Sequence, residues 1–135
     1  MIFEKLEHAI HRVIILHEQL RELIEKEKDL FTENRLDDIV QETVKRKQIE
    51  MEIKRTNTII QTYFKHIEHD NSGITGTQER TLSLLIDKLR ENFIYTADIV
   101  EQALNALHEM KHETLNELKT FGKTQEALKI YSQNG

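Results

Sequence analysis

The 135-residue chain contains no cysteine, no proline and no tryptophan, and it has only four glycines. The lack of cysteine excludes a disulfide framework, a thiolate metal site and a thiol nucleophile. No apolar run approaches the length of a membrane span. The length and composition predict a single domain without a membrane-spanning segment.

The N-terminal stretch MIFEKLEHAI carries charges in its first turn and lacks the basic end, apolar run and small-residue cleavage site of a secretory signal. We therefore expect a cytosolic protein. Charged residues make up 32% of the chain, and the formal net charge is −5. This acidic balance argues weakly against a nucleic-acid surface.

The first third of the chain has apolar residues that alternate at steps of three and four, with one gap at Glu27. Such spacing is the heptad seam of a helix that packs on other helices. Further apolar residues widen this seam, and a widened stripe usually faces two neighbours. The seam consists of Ile2, Leu6, Ala9, Val13, Leu16, Leu20, Leu23 and Leu30, and its flanks are Ile10, Ile14, Ile24 and Phe31.

Two polar breaks divide the chain into three helices. Asn34 can adopt the left-handed conformation that ends a helix, and Thr75 with Gln78 forms a candidate capping box. The second helix is assigned a seam through Leu36, Val40, Val44 and Met51 that changes phase before Ile53, Ile60, Tyr63, Phe64 and Ile67. The third helix is assigned a seam through Leu82, Leu85, Leu89, Phe93, Val100, Leu104, Leu107, Met110, Leu115 and Leu118.

These elements predict an all-α fold, an elongated antiparallel three-helix bundle with coiled-coil-like packing. The helices cover about residues 2–33, 36–69 and 77–121, and the third is the longest. Gly122 is the expected stop of the third helix. Residues 122–135 are expected to form a flexible C-terminal tail.

Glu27 occupies a seam position whose neighbours in phase are apolar. A lone buried carboxylate is costly, so a cationic partner is expected. A hairpin that folds about Asp37 places Glu27 opposite Lys47, and we predict that the two pair and fix the register. The alternative is that both side chains extend to solvent.

The stretch HEMKH, residues 108–112, matches the H-E-x-x-H signature of zinc proteases. It lies within the longest predicted helix, and only glutamates follow it, with no fold to return a third ligand to a metal. The expected interpretation is two solvated histidines, with adventitious metal binding as an alternative and a metal-dependent hydrolase as a remote one. No Gly-rich phosphate loop or Ser/His/Asp set is present, so we expect neither an enzyme nor a cofactor.

The hairpin sequence LRELIEKEKDLFTENRLDDIVQETVKRKQIEMEI resembles the FlgN family of flagellar export chaperones. The stretch LRENFIYTADIVEQALNAL is similar to the family's third helix, although Thr96 stands where the second of two asparagines is often found. The end, ALKIYSQNG, is similar to the family's closing tyrosine and glycine. The matching hairpin features are Leu20, Leu23, Glu27, Leu30 with Phe31, residues 34–37, Ile39 with Val40, and Lys47.

The resemblance implies a non-catalytic, cytosolic chaperone that binds hook–filament junction proteins of the FlgK and FlgL type and delivers them to the export gate FlhA. By helical rise, the third helix passes the first turn near residue 112, and apolar residues continue beyond it. Such unpacked apolar surface usually marks a binding site. We therefore predict client binding at Leu115, Leu118, Phe121, Leu128 and Ile130. The resemblance implies that the leucines before Tyr131 hold the client and that Tyr131 contacts the export gate.

The sequence leaves two alternatives open. The tail could fold back over its own stripe, or a neighbouring molecule could cover it. The whole chain could also be a structural, self-assembling coiled-coil protein without a client, with a homodimer formed through exposed apolar surface.

Overall fold

The computed structural model describes the backbone of residues 2–70 and 74–133 and the side chains of residues 2–69 and 74–130. Three helices account for nearly all of the described residues: α1 (Ile2–Thr32), α2 (Leu36–Asp70) and α3 (Gly76–Gln133). No strand occurs in the described ranges. The predicted all-α three-helix bundle is confirmed, and α3 is the longest helix.

The turn between α1 and α2 is built around Asn34. Its φ of 56° lies in the left-handed region, which asparagine tolerates better than most residues. The Asn34 amide donates to Phe31 O at 3.2 Å, and the Arg35 amide donates to Leu30 O at 3.0 Å. These two bonds form a Schellman motif, so the predicted role of Asn34 as a helix stop is confirmed.

The start of α3 carries the predicted capping box. The Gln78 amide donates to Thr75 Oγ1 at 3.2 Å, and the Thr75 amide donates to Gln78 Oε1 at 3.1 Å. The two residues thus satisfy amide groups that have no acceptor inside the helix. The preceding residues 71–73 lie outside the described part of the chain.

Helix α1 is the centre of the bundle. It packs against both α2 and α3, whereas no Cα atom of α2 lies within 8 Å of one in α3 over the described residues. The wide apolar stripe of α1 serves these two neighbours, as its sequence predicts. Its side chains are the most deeply buried in the core: Leu6, Ile10, Val13 and Leu16 are fully enclosed.

The seam of α2 differs from the predicted one. One uninterrupted heptad of buried and half-buried residues, without a change of phase, runs along α2: Ile39, Glu42, Arg46, Ile49, Ile53, Thr56, Ile60, Tyr63 and Ile67. Leu36, Val40, Val44 and Met51, expected in the seam, are exposed. The prediction failed because polar Glu42, Arg46 and Thr56 occupy the true seam, so hydropathy favoured the wrong face.

The predicted pairing of Glu27 with Lys47 is wrong. Glu27 pairs with Arg46, the residue that precedes Lys47. The Arg46 Nε donates to both carboxylate oxygens of Glu27 at 2.9 and 3.0 Å, while its Nη1 donates to Glu50 at 2.8 Å. Lys47 is exposed, because it lies on the outer face of α2. A second interhelical ion pair, Lys26–Glu42 at 3.0 Å, lies near the first.

The third helix continues past the predicted stop. Gly122 lies inside α3, which extends to Gln133. A single glycine costs an exposed helix only about 1 kcal/mol relative to alanine, and no proline follows it. The stretch QEALK after Gly122 consists of good helix formers, so its backbone is helical where a tail was expected.

Candidate protein-binding surface

Helix α3 runs alongside α1 and then extends beyond it. Arg21 of α1 lies beside Tyr95 and His17 lies beside Thr96, which places the end of α1 near Met110 of α3. Met110 is half-buried, and every residue from 111 to 130 is exposed. We call residues 111–130 the α3 projection. At about 1.5 Å per residue it extends roughly 30 Å.

The α3 projection carries an apolar strip in line with the buried seam. At 100° per residue, Phe121 and Leu128 lie within about 20° of the direction of Met110. Leu118 lies about 80° away, on the side of the half-buried Leu107. The surface that packs on α1 in the bundle therefore continues, without a partner helix, along the α3 projection.

The predicted client-binding residues do not all share that strip. Leu115, Leu118, Phe121, Leu128 and Ile130 have exposed fractions between 47% and 61%. Leu118, Phe121 and Leu128 lie on the strip side, but Leu115 and Ile130 lie about 140° and 200° from the direction of Met110. The backbone of Tyr131 belongs to α3, and its side chain lies outside the described residues.

A polar cluster inside the α1–α3 contact holds α3 in place. Buried Thr96 Oγ1 lies 2.9 Å from His17 Nδ1 and accepts from Arg21 Nη1 at 3.2 Å. The same Arg21 nitrogen donates to Asn92 Oδ1 at 3.0 Å, and its guanidinium lies 4.6 Å from the centre of the Tyr95 ring. Because polar groups satisfy one another only in one alignment, the cluster specifies the register of α3 on α1.

His17 is the most constrained member of this cluster. It is only 4% exposed, and its ring meets the Phe93 ring edge-on at a centroid distance of 4.3 Å. Its Nε2 is buried without a hydrogen-bond partner in the described structure. Burial lowers the pKa of His17, and the positive charge of Arg21 lowers it further. The neutral imidazole is therefore the form that fits the bundle.

The HEMKH stretch lies on the surface of α3. His108, Glu109 and His112 are exposed, and Met110 between them is half-buried. Among residues 2–69 and 74–130, no three histidine or acidic side chains come together in a way that could hold a metal ion. The two histidines are one turn apart on an exposed face, with no third ligand beside them in that part of the chain.

A second exposed apolar surface lies on α2. Leu36, Val40, Val44 and Met51 are between 52% and 65% exposed, and they face about 150° away from the seam that packs on α1. We call these four residues the α2 outer stripe. Sequence reasoning missed this surface because it assigned the stripe to the core; the regular spacing of Ile39, Ile53 and Ile60 could have indicated the true seam.

The fold defines an all-α three-helix bundle, and the α3 projection and the α2 outer stripe are exposed apolar surfaces on it. No helix in the described ranges has the length and apolar character needed to cross a membrane. No protein-family model, no curated protein and no solved structure matches the chain.

Proposed function

We propose that this chain is a non-catalytic, cytoplasmic export chaperone of the FlgN type that holds hook–filament junction proteins before their export. The observation that carries the proposal is the α3 projection, whose apolar strip continues an interior packing surface without a partner. The resemblance in the hairpin, in α3 and at the C-terminal end supplies the class of client. Junction proteins of the FlgK and FlgL type are the proposed clients, and FlhA is the proposed export gate.

The proposed binding mode is the pairing of helices. Within the bundle, α1 covers the seam of α3 as far as Met110. An amphipathic helix of the client would take the place of α1 along the strip formed by Leu118, Phe121 and Leu128. Full burial of one such side chain contributes about 1.5–3 kcal/mol. Three of them contribute about 4.5–9 kcal/mol, which is comparable with the cost of association, so apolar contacts from the client's own helix are also needed.

The proposed roles are divided along the projection. The strip residues hold the client, and Tyr131, just beyond them, contacts the export gate. Leu115 and Ile130 lie on other faces of the helix, and we assign them to the margins of the client contact. Replacement of Tyr131 by alanine is expected to preserve client binding and to impair export, whereas loss of the strip removes both.

The second candidate function is a structural, self-assembling coiled-coil protein with no export client. The α2 outer stripe favours it, since two unpartnered apolar surfaces on one rod could join copies to each other. The two functions differ in what covers the α3 projection. A client covers it in the chaperone, and another copy of the chain covers it in the structural protein.

The test of the proposed function is capture from native cytosol with paired variants. The wild-type chain is expected to retain a hook–filament junction protein, and Phe121→Glu is expected to lose it. Leu84→Glu introduces the same charge at an exposed leucine of α3 far from the projection, and it should behave as the wild type. Absence of any junction protein from the wild-type sample, with the chain recovered as a homo-oligomer that Phe121→Glu disrupts, would favour the structural function.

A further inference from the structure

The α2 outer stripe lies on the face of α2 that is directed away from α1, so the bundle itself does not use it. Its four members, Leu36, Val40, Val44 and Met51, are all more than half exposed. Lys47 lies between Val44 and Met51 on the same face and is also exposed. A contiguous apolar surface of this kind on a helix usually has a partner.

The spacing of the residues in the stripe is nearly the same in both directions along α2. From Leu36 to Met51, with Lys47 included, the steps are four, four, three and four. In an antiparallel pair of α2 helices, Leu36 therefore lies opposite Met51, and Val40 lies opposite Lys47, whose stem can cover it. Val44 meets its own copy near the two-fold axis. Self-complementarity of this type is the requirement for a symmetric homodimer interface.

The charges beside the stripe favour the same arrangement. Asp37 lies at the start of α2, and Arg55 lies eighteen residues later on the same side of the stripe. Both are exposed, and neither has a salt bridge within the described structure. An antiparallel pair places Asp37 of one copy and Arg55 of the other on the same side of the interface, about five residues apart along the axis, where the long arginine side chain extends toward the carboxylate. In a parallel pair, residues on the same flank lie on opposite sides of the interface, so this contact is absent.

We infer that the α2 outer stripe is a self-association surface, on which two copies of this chain pair through antiparallel α2 helices with Val44 at the two-fold axis. This inference does not depend on the proposed client, because it concerns a different helix from the α3 projection. The contact joins four apolar residues from each copy, so the dimer is reversible and depends on concentration.

Engineered cysteines test the arrangement directly, because the chain has no cysteine of its own. Under mild oxidation, Val44→Cys is expected to form a disulfide-linked dimer with itself. Leu36→Cys alone is expected not to, but a mixture of Leu36→Cys and Met51→Cys should yield the mixed dimer. Leu84→Cys, an exposed leucine on α3, gives the rate of random collision. Cross-linking of Val44→Cys no faster than this control would overturn the inference, as would self-linking of Leu36→Cys as fast as its linking to Met51→Cys.

Sedimentation of the full chain over a range of concentrations measures the association itself. The average mass of the wild type is expected to rise with concentration, and Val44→Glu should raise the dissociation constant about tenfold or more, since it buries an unpaired charge. Leu84→Glu is the matched control and should leave the constant unchanged. Asp37→Arg and Arg55→Asp should each weaken the dimer, and their combination should restore it. A wild type that stays monomeric, or a dimer insensitive to Val44→Glu, would overturn the inference.

Discussion

The Nδ1 atom of His17 lies 2.9 Å from Thr96 Oγ1 in the interior of the α1–α3 contact. This bond, together with the bonds of Arg21 to Thr96 and Asn92, aligns the two helices along their length. The alignment decides where α3 leaves the end of α1, near Met110, and therefore how much of α3 remains uncovered. The polar cluster between α1 and α3 thus sets the length of α3 that is available as the proposed binding surface.

Removal of the Thr96 hydroxyl should destabilise the bundle. Thr96→Val keeps the shape of the side chain but leaves His17 and Arg21 without an oxygen that both contact. A buried polar group without its partner costs about 1–3 kcal/mol, and we expect a loss of this size in the free energy of unfolding by urea. Thr96→Ser, which retains the hydroxyl, is the control and should lose less. Equal stability of Thr96→Val and the wild type would contradict this role.

The lowered pKa of His17 predicts a specific dependence of stability on pH. In the folded chain the imidazole resists protonation, while in the unfolded chain it titrates near its ordinary value of about 6.5. The unfolded state therefore binds more protons as the pH falls below that value, and the free energy of unfolding decreases. The His17→Gln variant should lack this component, so the difference in stability between pH 7.5 and pH 5 should be smaller than in the wild type. An identical difference in the two proteins would exclude His17 as its source.

The Glu27–Arg46 ion pair should show energetic coupling. A double-mutant cycle with Glu27→Gln and Arg46→Met is expected to give about 1 kcal/mol in urea unfolding, because both groups are partly buried and the Arg46 Nε contacts both carboxylate oxygens. The same cycle with Lys47→Met in place of Arg46→Met should be additive within about 0.3 kcal/mol. Coupling of Glu27 to Lys47 and not to Arg46 would contradict the observed register.

The sequence predicts the number of helices, the two breaks and their caps, because these depend on local chemistry. Asn34 as a stop and Thr75 with Gln78 as a capping box follow from side chains a few residues apart. The face of α2 that packs on α1 does not follow in this way. This face includes polar residues in ion pairs between helices, such as Glu27–Arg46. The hydropathy of a single segment of sequence does not reveal such pairs.

The candidate surface was predictable in part. Helical rise placed the end of the α1 contact near residue 112, and the exposed residues begin at 111. The helical state of residues beyond Gly122 and the orientation of Ile130 do not follow from the sequence pattern, because glycine is typical of a helix stop. The role of Thr96 does not follow either, since its partners His17 and Arg21 lie 79 and 75 residues earlier in the chain.

The exposed histidines of HEMKH give a prediction about metal. Replacement of both His108 and His112 by glutamine should leave helicity and client binding unchanged, since both side chains are exposed and lie about 160–200° from the direction of Met110, away from the apolar strip. The zinc content of protein purified without a metal-affinity tag is the measurement. Stoichiometric zinc that disappears in this double variant would revive the hydrolase hypothesis.

Removal of residues 113–135 should leave a stable bundle, because residues 111–130 are all exposed and do not pack in the core. The free energy of unfolding is expected to stay within about 0.5 kcal/mol of the full chain, as for surface changes. Loss of the cooperative unfolding transition in the shortened chain would show that the segment is part of the core.

We propose that the α3 projection holds a junction protein, and calorimetric titration of a purified hook–filament junction protein into the chain measures this binding. Saturable binding is expected to the full chain and to Val44→Glu, and no binding to the folded chain that lacks residues 113–135 or to Phe121→Glu. Equal binding to the full and shortened chains, or no binding to the full chain, would contradict it.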